Sequence, residues 1–153
     1  ESMPDALTIA DIVPHKGDLS LLDRIVSGDA QELVCELTVR EDGLFDEAGT
    51  VSAVIGIEYM AQAVSAFSGL QRGGQDIKIG LLLGTRKFQT NVSSFPCGTT
   101  LRVTVRPVVQ GRDSLVVFDC TVRGPGIEQS AILKAYEPED FAAYLKSSGW
   151  QAG

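Results

Sequence analysis

The sequence predicts an α+β fold in which a curved antiparallel sheet of about six strands wraps around one long central helix. Three observations predict it. The chain has 153 residues, 44% hydrophobic and 22% charged, enough for one domain with a real core. Val51–Leu70 contains no proline and a single charged side chain, Glu58, so it forms a helix without a properly polar face. Most of the remainder alternates polar and apolar residues with the period of half-buried strands. A helix apolar all round is either a membrane span or buried in protein. Ser52, Glu58, Gln62, Ser65 and Ser68 weaken the span, and the surrounding segments read as sheet. The sheet must therefore curl around the helix and keep its other face wet.

In chain order, Asp5–Ile12 reads as a short helix leading into Pro14-His15-Lys16-Gly17, where proline and glycine break regular structure. Leu19–Ser27 and Glu32–Arg40 read as a β-hairpin. Leu33, Cys35, Leu37 and Val39 alternate with Val34, Glu36 and Thr38, and Ser27-Gly28-Asp29-Ala30 supplies turn chemistry. Thr50 or Ser52 can cap the central helix, and Gly69 with Gly73-Gly74 ends it. Lys78–Phe88 is an apolar strand around Gly80 and Gly84. Thr100–Arg106 alternates Leu101, Val103 and Val105 with Arg102, Thr104 and Arg106. Val116, Phe118, Cys120 and Val122 share one face of the next strand, and Gly124-Pro125-Gly126 turns it into a last strand, Ile127–Tyr136. Pro138–Lys146 reads as a terminal helix and Trp150 as part of a tail. Glu1-Ser2 ahead of Met3 reads as a cloning remnant. The predicted domain is 3–146, with 147–153 as the tail.

A net charge of −7 argues against nucleic-acid binding. Three cysteines (Cys35, Cys97, Cys120) without a Cys-x-x-Cys pair, and one histidine, give neither a disulfide framework nor a zinc site. With no signal pattern at the N-terminus, the expectation is a reducing, cytoplasmic setting. Charge is uneven: residues 1–58 hold 13 acidic and 3 basic side chains, whereas residues 86–134 hold 7 basic and 3 acidic. The arginines of the second half are either the wet face of a sheet or a docking strip for an acidic partner.

Pro14-His15-Lys16-Gly17-Asp18-Leu19-Ser20-Leu21-Leu22-Asp23-Arg24 resembles the Pro-His-Arg-…-Leu-Leu-x-Asp-Arg opening of FabZ-type 3-hydroxyacyl-(acyl carrier protein) dehydratases. Ile57-Glu58-Tyr59-Met60-Ala61-Gln62-Ala63 is similar to their central-helix signature. Leu83-Gly84-Thr85-Arg86-Lys87-Phe88, then Phe95-Pro96-Cys97-Gly98, resembles their Gly-x-x-Lys strand and following Pro-Gly turn. The likeness spans about residues 10 to 137 and is nearest the divergent branch associated with aryl polyene pathways. It implies the hot-dog fold, a sheet wrapped around one long helix. It also implies dehydration of a substrate carried on phosphopantetheine, without metal or other cofactor. The chain departs from that family at its Gly-His-Phe-Pro segment, which holds the catalytic histidine. Leu44–Ala53 stands there with neither histidine nor proline.

Dehydration removes a proton from C2 and expels hydroxide from C3. The first step suits an imidazole and the second a carboxylic acid that is still protonated. His15 is the only imidazole, and the resemblance puts its segment at the lip of the substrate tunnel near the helix glutamate. His15 and Glu58 are therefore the expected catalytic pair, Glu58 kept dry so that its neutral form is favoured. The plain alternatives are a histidine that pins a loop and a carboxylate satisfied by backbone or a partner. Amides at the helix start, Ala53 and Val54, are the expected oxyanion donors. Gln62, one turn after Glu58, can bond it or the substrate, or the sheet. Gly84, Thr85 and Phe95 are the expected substrate contacts, although a strand glycine is as often a bulge and Phe95 could plug the tunnel. Arg86, Lys87 and Arg102 are the expected contacts to an acidic acyl carrier protein.

Two other functions remain open on sequence: a hot-dog thioesterase in which Glu58 activates water, and a non-catalytic subunit paired with an active homologue. Long sheet edges call for pairing, so a homodimer or hot-dog heterodimer is expected. No Gly-x-Ser-x-Gly elbow or Walker-type loop is present.

Overall fold

The structure, a computed structural model, describes residues 21–71, 81–110 and 115–136. The expected elements Asp5–Ile12 and Pro138–Lys146, the His15 loop and Trp150 lie outside those residues. The described elements are β1 (Arg24–Gly28), β2 (Leu33–Thr38), β3 (Asp46–Glu47), β4 (Thr50–Ser52), α1 (Ile55–Gln71), β5 (Leu81–Thr90), β6 (Ser94–Pro96), β7 (Thr100–Gln110), β8 (Leu115–Gly124) and β9 (Ile127–Tyr136). Six strands form one antiparallel sheet in the order β1-β2-β7-β8-β9-β5, and β3-β4-β6 form a small second sheet.

Alternation sets the register. The aligned pairs Leu33↔Val105, Cys35↔Val103, Val103↔Val122 and Phe118↔Leu133 turn every buried side chain to one face. A slip by one residue would turn all of them out. Against that face α1 packs Tyr59, Met60, Ala63, Ala66 and Phe67, with Phe67 edge-on to Phe118 at 5.7 Å between centroids. The expected hot-dog architecture is the one observed.

The charge asymmetry resolves in the sheet's outer face. Arg24, Glu36, Arg102, Arg123 and Glu128 are successive cross-strand partners in a row over five strands. Glu36 lies 2.9 Å from Arg24 and 3.4 Å from Arg102, while Glu128 lies 3.3 Å from Arg123. Arg106 meets Glu32 at 2.7 Å. Two of these pairs, Glu36–Arg102 and Glu32–Arg106, join the acidic first part of the chain to the basic second part across β2 and β7. Each pair is exposed and contributes at most about 1 kcal/mol, but the two carboxylates also flank the directly opposed Arg102 and Arg123 and offset their repulsion.

Three differences from the sequence reading have a clear physical reason. The helix begins at Ile55 rather than near Val51, because Val51 pairs with Phe95 in the small sheet. β7 runs past Pro107 to Gln110, with a register shift between Pro107 and Val109 accommodating the residue that lacks an N–H. The third concerns the stretch that stands in place of Gly-His-Phe-Pro. It forms the hairpin β3–β4, in which Ala48 (φ 53°) and Gly49 (φ 79°) make the two-residue turn. Such a turn needs positive φ at both positions, which suits Gly49 but strains Ala48. Ala48→Asn should therefore stabilise the protein by about 0.5–1 kcal/mol, read as a higher urea midpoint at unchanged slope.

Candidate functional site

The site is built around the start of α1, where the small sheet hands the chain to the helix. Ala53 is fixed at both ends of its backbone. Its N–H donates to Ser93 O (3.0 Å), and its carbonyl accepts from Gly56 N (3.0 Å) and from the side-chain Nε2 of Gln129 (2.8 Å). Ile57 N bonds Val54 O at 3.1 Å, so the first turn is tight, with i to i−3 bonds. Ser52 Oγ lies 3.3 Å from Val54 N, a long contact from two residues before the usual capping place. No acceptor among the described residues takes the N–H of Ile55. The expected pair of oxyanion donors is corrected accordingly. Ala53 is committed to Ser93, Val54 has only its long contact to Ser52 Oγ, and the amide without an acceptor among the described residues is that of Ile55.

Glu58 follows Val54 by one turn on the same face. The expectation of a dry carboxylate is not met within one chain, since Glu58 is exposed. The physical reason is that the sheet covers only one side of α1. On the opposite side Val54 is 61% exposed, and Ile57, Ala61 and Ser65 are half-buried. Gln62 is buried, with its Oε1 accepting from Leu21 N at 2.8 Å and its Nε2 3.4 Å from Glu58 Oε1. It thereby meets both the glutamate and the segment that follows the His15 loop. His15 itself lies outside the described residues.

Gly84 sits at one of the two register shifts of β5, with open space where a β-carbon would be, so the bulge alternative describes it. Thr85 is half-buried opposite Leu133. Phe95 is corrected: it is fully buried and stacked on Tyr59 at 6.0 Å between centroids, hence part of the core rather than a surface for substrate. Arg102 is held by Glu36, whereas Arg86 and Lys87 are exposed and make no ion pair among the described residues. Lys87 occupies the second bulge of β5 at φ 53°, a conformation that is uncommon for a lysine.

Beside the helix start, Leu21, Leu37, Thr38, Arg40, Asp42, Phe45, Val51 and Tyr59 line a cleft. Burial pushes the Tyr59 phenol up to about 12, with Arg40 pulling against it, so it stays a neutral donor. Ligand atoms of Glu41, Asp46 and Cys97 lie within 4.8 Å of one another. Burial and the carboxylates of Asp46, Glu41 and Asp42 push the Cys97 thiol up.

One residue of the site, Gln129, is missing from the sequence reading. It is 1% exposed at an inward position of β9, between Ile127 and Ala131. A polar residue in the apolar phase of an alternating strand is the signal that marks it.

The family described as ApeP dehydratase (ApeP-like) matches residues 7–146. The chain belongs to that family. It is a dehydratase on a hot-dog fold, in the aryl-polyene branch that the motifs around Pro14, Glu58 and Gly84 resemble. No curated protein sequence matches the chain. Among solved structures it is similar to a chain of the dehydratase heterocomplex ApeI:P from Xenorhabdus doucetiae. That likeness has 24% identity and a TM-score of 0.79, covering 88% of this chain and 93% of that one. It is also similar to a hypothetical thioesterase with coenzyme A from Streptococcus pneumoniae, at 15% identity and a TM-score of 0.58, covering 74% and 86%. At these identities both share the fold, which hosts more than one thioester chemistry. None of the helices among the described residues is long and apolar enough to cross a membrane.

The buried cysteines here are suppressed as nucleophiles. Burial pushes Cys35 up to about 12, and burial together with Asp119 pushes Cys120 up further. At pH 8 only roughly one part in 10⁴ of Cys35 is thiolate. A disulfide-exchange reagent should therefore leave Cys35 and Cys120 unlabelled in the folded protein and react slowly with Cys97. All three should react after unfolding, as a thiol count with and without denaturant will show.

Proposed function

We propose that this dehydratase converts a 3-hydroxyacyl thioester on acyl carrier protein to the trans-2-enoyl thioester. His15 takes the C2 proton, the C2–H electrons form the C2=C3 bond, and the C3 hydroxyl leaves as water on receiving a proton from Glu58. The Val54 and Ile55 amides hold the thioester oxygen as negative charge develops on it. The observation that carries this reading is the placement of Glu58 one turn from the Ile55 amide, which has no acceptor among the described residues, on the open face of α1. A carboxyl and an oxyanion donor so arranged can serve C3 and C1 of one substrate.

A second hot-dog chain is the proposed cover for that open face. Val54, Ile57 and Ala61 offer it apolar surface, and β5 is an edge strand of the large sheet among the described residues. The heterocomplex of the similar Xenorhabdus protein supports a heterodimer over a homodimer. Arg86 and Lys87, on that same edge strand and without ion pairs among the described residues, are the proposed contacts to the acidic carrier protein and its phosphate.

Three outcomes test the reading, measured on the full chain with the hot-dog subunit that co-purifies with it. Glu58→Gln and His15→Ala should each lower kcat for enoyl formation by about 10²–10⁴-fold. Because Glu58 is exposed in the chain, its variant should keep its stability within about 0.5 kcal/mol. Unchanged turnover in either variant removes that residue from the chemistry. Release of free thiol in place of enoyl product would favour a thioesterase. Arg86→Glu with Lys87→Glu should raise KM for carrier-bound substrate, but not for the same acyl group on pantetheine alone, and the difference should shrink as salt is added.

A further inference from the structure

The side chain of Gln129 reaches from β9 under the sheet to the start of α1, 76 residues away in sequence, and its Nε2 donates to Ala53 O at 2.8 Å. Its Oε1 is buried and has no hydrogen-bond partner among the described residues. The amide lies so close to Gly56 that a β-carbon there would collide with it. A buried carbonyl without a partner is costly, and an apolar side chain of the same volume would fill the place without that cost. The arrangement therefore calls for something that packing alone does not supply.

The Ala53 N–H, in the preceding peptide unit, is held by Ser93 O; of the next two amides, that of Val54 has only a long 3.3 Å contact to Ser52 Oγ and that of Ile55 has no acceptor among the described residues. We propose that Gln129 is a positioning residue for the dehydration: by pinning the Ala53 carbonyl it keeps the Val54 and Ile55 N–H groups directed out of the helix toward the thioester oxygen. This rests on the reading of the helix start given under Proposed function. Gly56 belongs to the same device, because only a glycine leaves room for the amide. Hydrogen-bond donors aimed before the reaction stabilise developing charge without reorganisation, so a loose Ala53 peptide should reduce kcat more than substrate binding.

The test uses the full chain with its hot-dog subunit. Gln129→Met keeps the volume and removes the donor. It should lower kcat about tenfold while KM stays within about twofold. Gly56→Ala, which displaces the Gln129 amide, should lower kcat similarly. The double variant should be no worse than either single one, since both act through one hydrogen bond. A second readout needs binding only: the carbonyl stretch of butyryl-pantetheine, which cannot be dehydrated. Its infrared band should move to lower frequency on binding the native protein, and Gln129→Met should lose most of that shift. If Gln129→Met does not fold, Gln129→Asn, whose amide falls one methylene short of Ala53, takes its place in both measurements. A variant with a lower denaturation midpoint but native kcat and a native band shift would make Gln129 merely structural and overturn the proposal. A band that does not move in the native protein would overturn the placement of the thioester at the helix start, and this proposal with it. That result is separate from the fate of Glu58→Gln. An inactive native assembly would count against the catalytic reading alone, because the infrared measurement still decides the role of Gln129.

Discussion

A single helix lying on a sheet has one side covered and one side bare, and α1 carries almost no charge with which to meet water on the bare side. Val54 stands 61% exposed there, with Ile57 and Ala61 half-buried, and Glu58 is the one ionisable group among them. Exposed apolar surface of this kind is what an interface offers before it is covered. The rest of the arrangement follows from that constraint. The candidate site sits where cover is missing, with Glu58 exposed on that side, and the edge strand β5 carries two bulges and the cations Arg86 and Lys87, which make no ion pair among the described residues.

The start of the helix shows the same preference for availability over self-sufficiency. A helix stabilised for its own sake would place serine or aspartate at its cap, and here that place falls to Val54. The contact from Ser52 Oγ is long, and Ile55 N has no acceptor among the described residues. What the turn lacks in capping it gains in bracing. Ser93 O holds the Ala53 N–H, and Gln129 and Gly56 hold the Ala53 carbonyl. Backbone groups that are rigidly held but unpaired are the form in which a protein stores a binding site for developing negative charge.

Much of this was legible in the residues. The hairpin before the helix, the strand pair joined at Gly124-Pro125-Gly126 and the helix itself all follow from periodicity and turn chemistry. Gly126 has the positive φ (69°) that a Pro-Gly turn requires. The contact of Gln62 with Glu58 follows from the spacing of helical neighbours. Less local features were illegible. Nothing within Thr50-Val51-Ser52 says that it pairs with Ser94-Phe95-Pro96 instead of opening the helix, because the choice is made by a segment more than forty residues away. Phe95 could not be sorted between tunnel and core for the same reason: its burial depends on Tyr59 and Val51, which only the fold brings to it.

The sequence by itself determined the fold class, the family and the identity of the lone acid, because each is written in short-range patterns: a helix without a polar face, alternating strands and motifs of fixed spacing. The tertiary structure decided which amides are open, which arginines are already paired, and that Glu58 faces outward in one chain. Those outcomes depend on which distant groups arrive first at a donor or a charge, as Ser93 does at Ala53, Glu36 at Arg102 and Gln129 at the Ala53 carbonyl. Hydrogen bonds and ion pairs act over a few ångströms, and only the folded chain sets which groups come within that range.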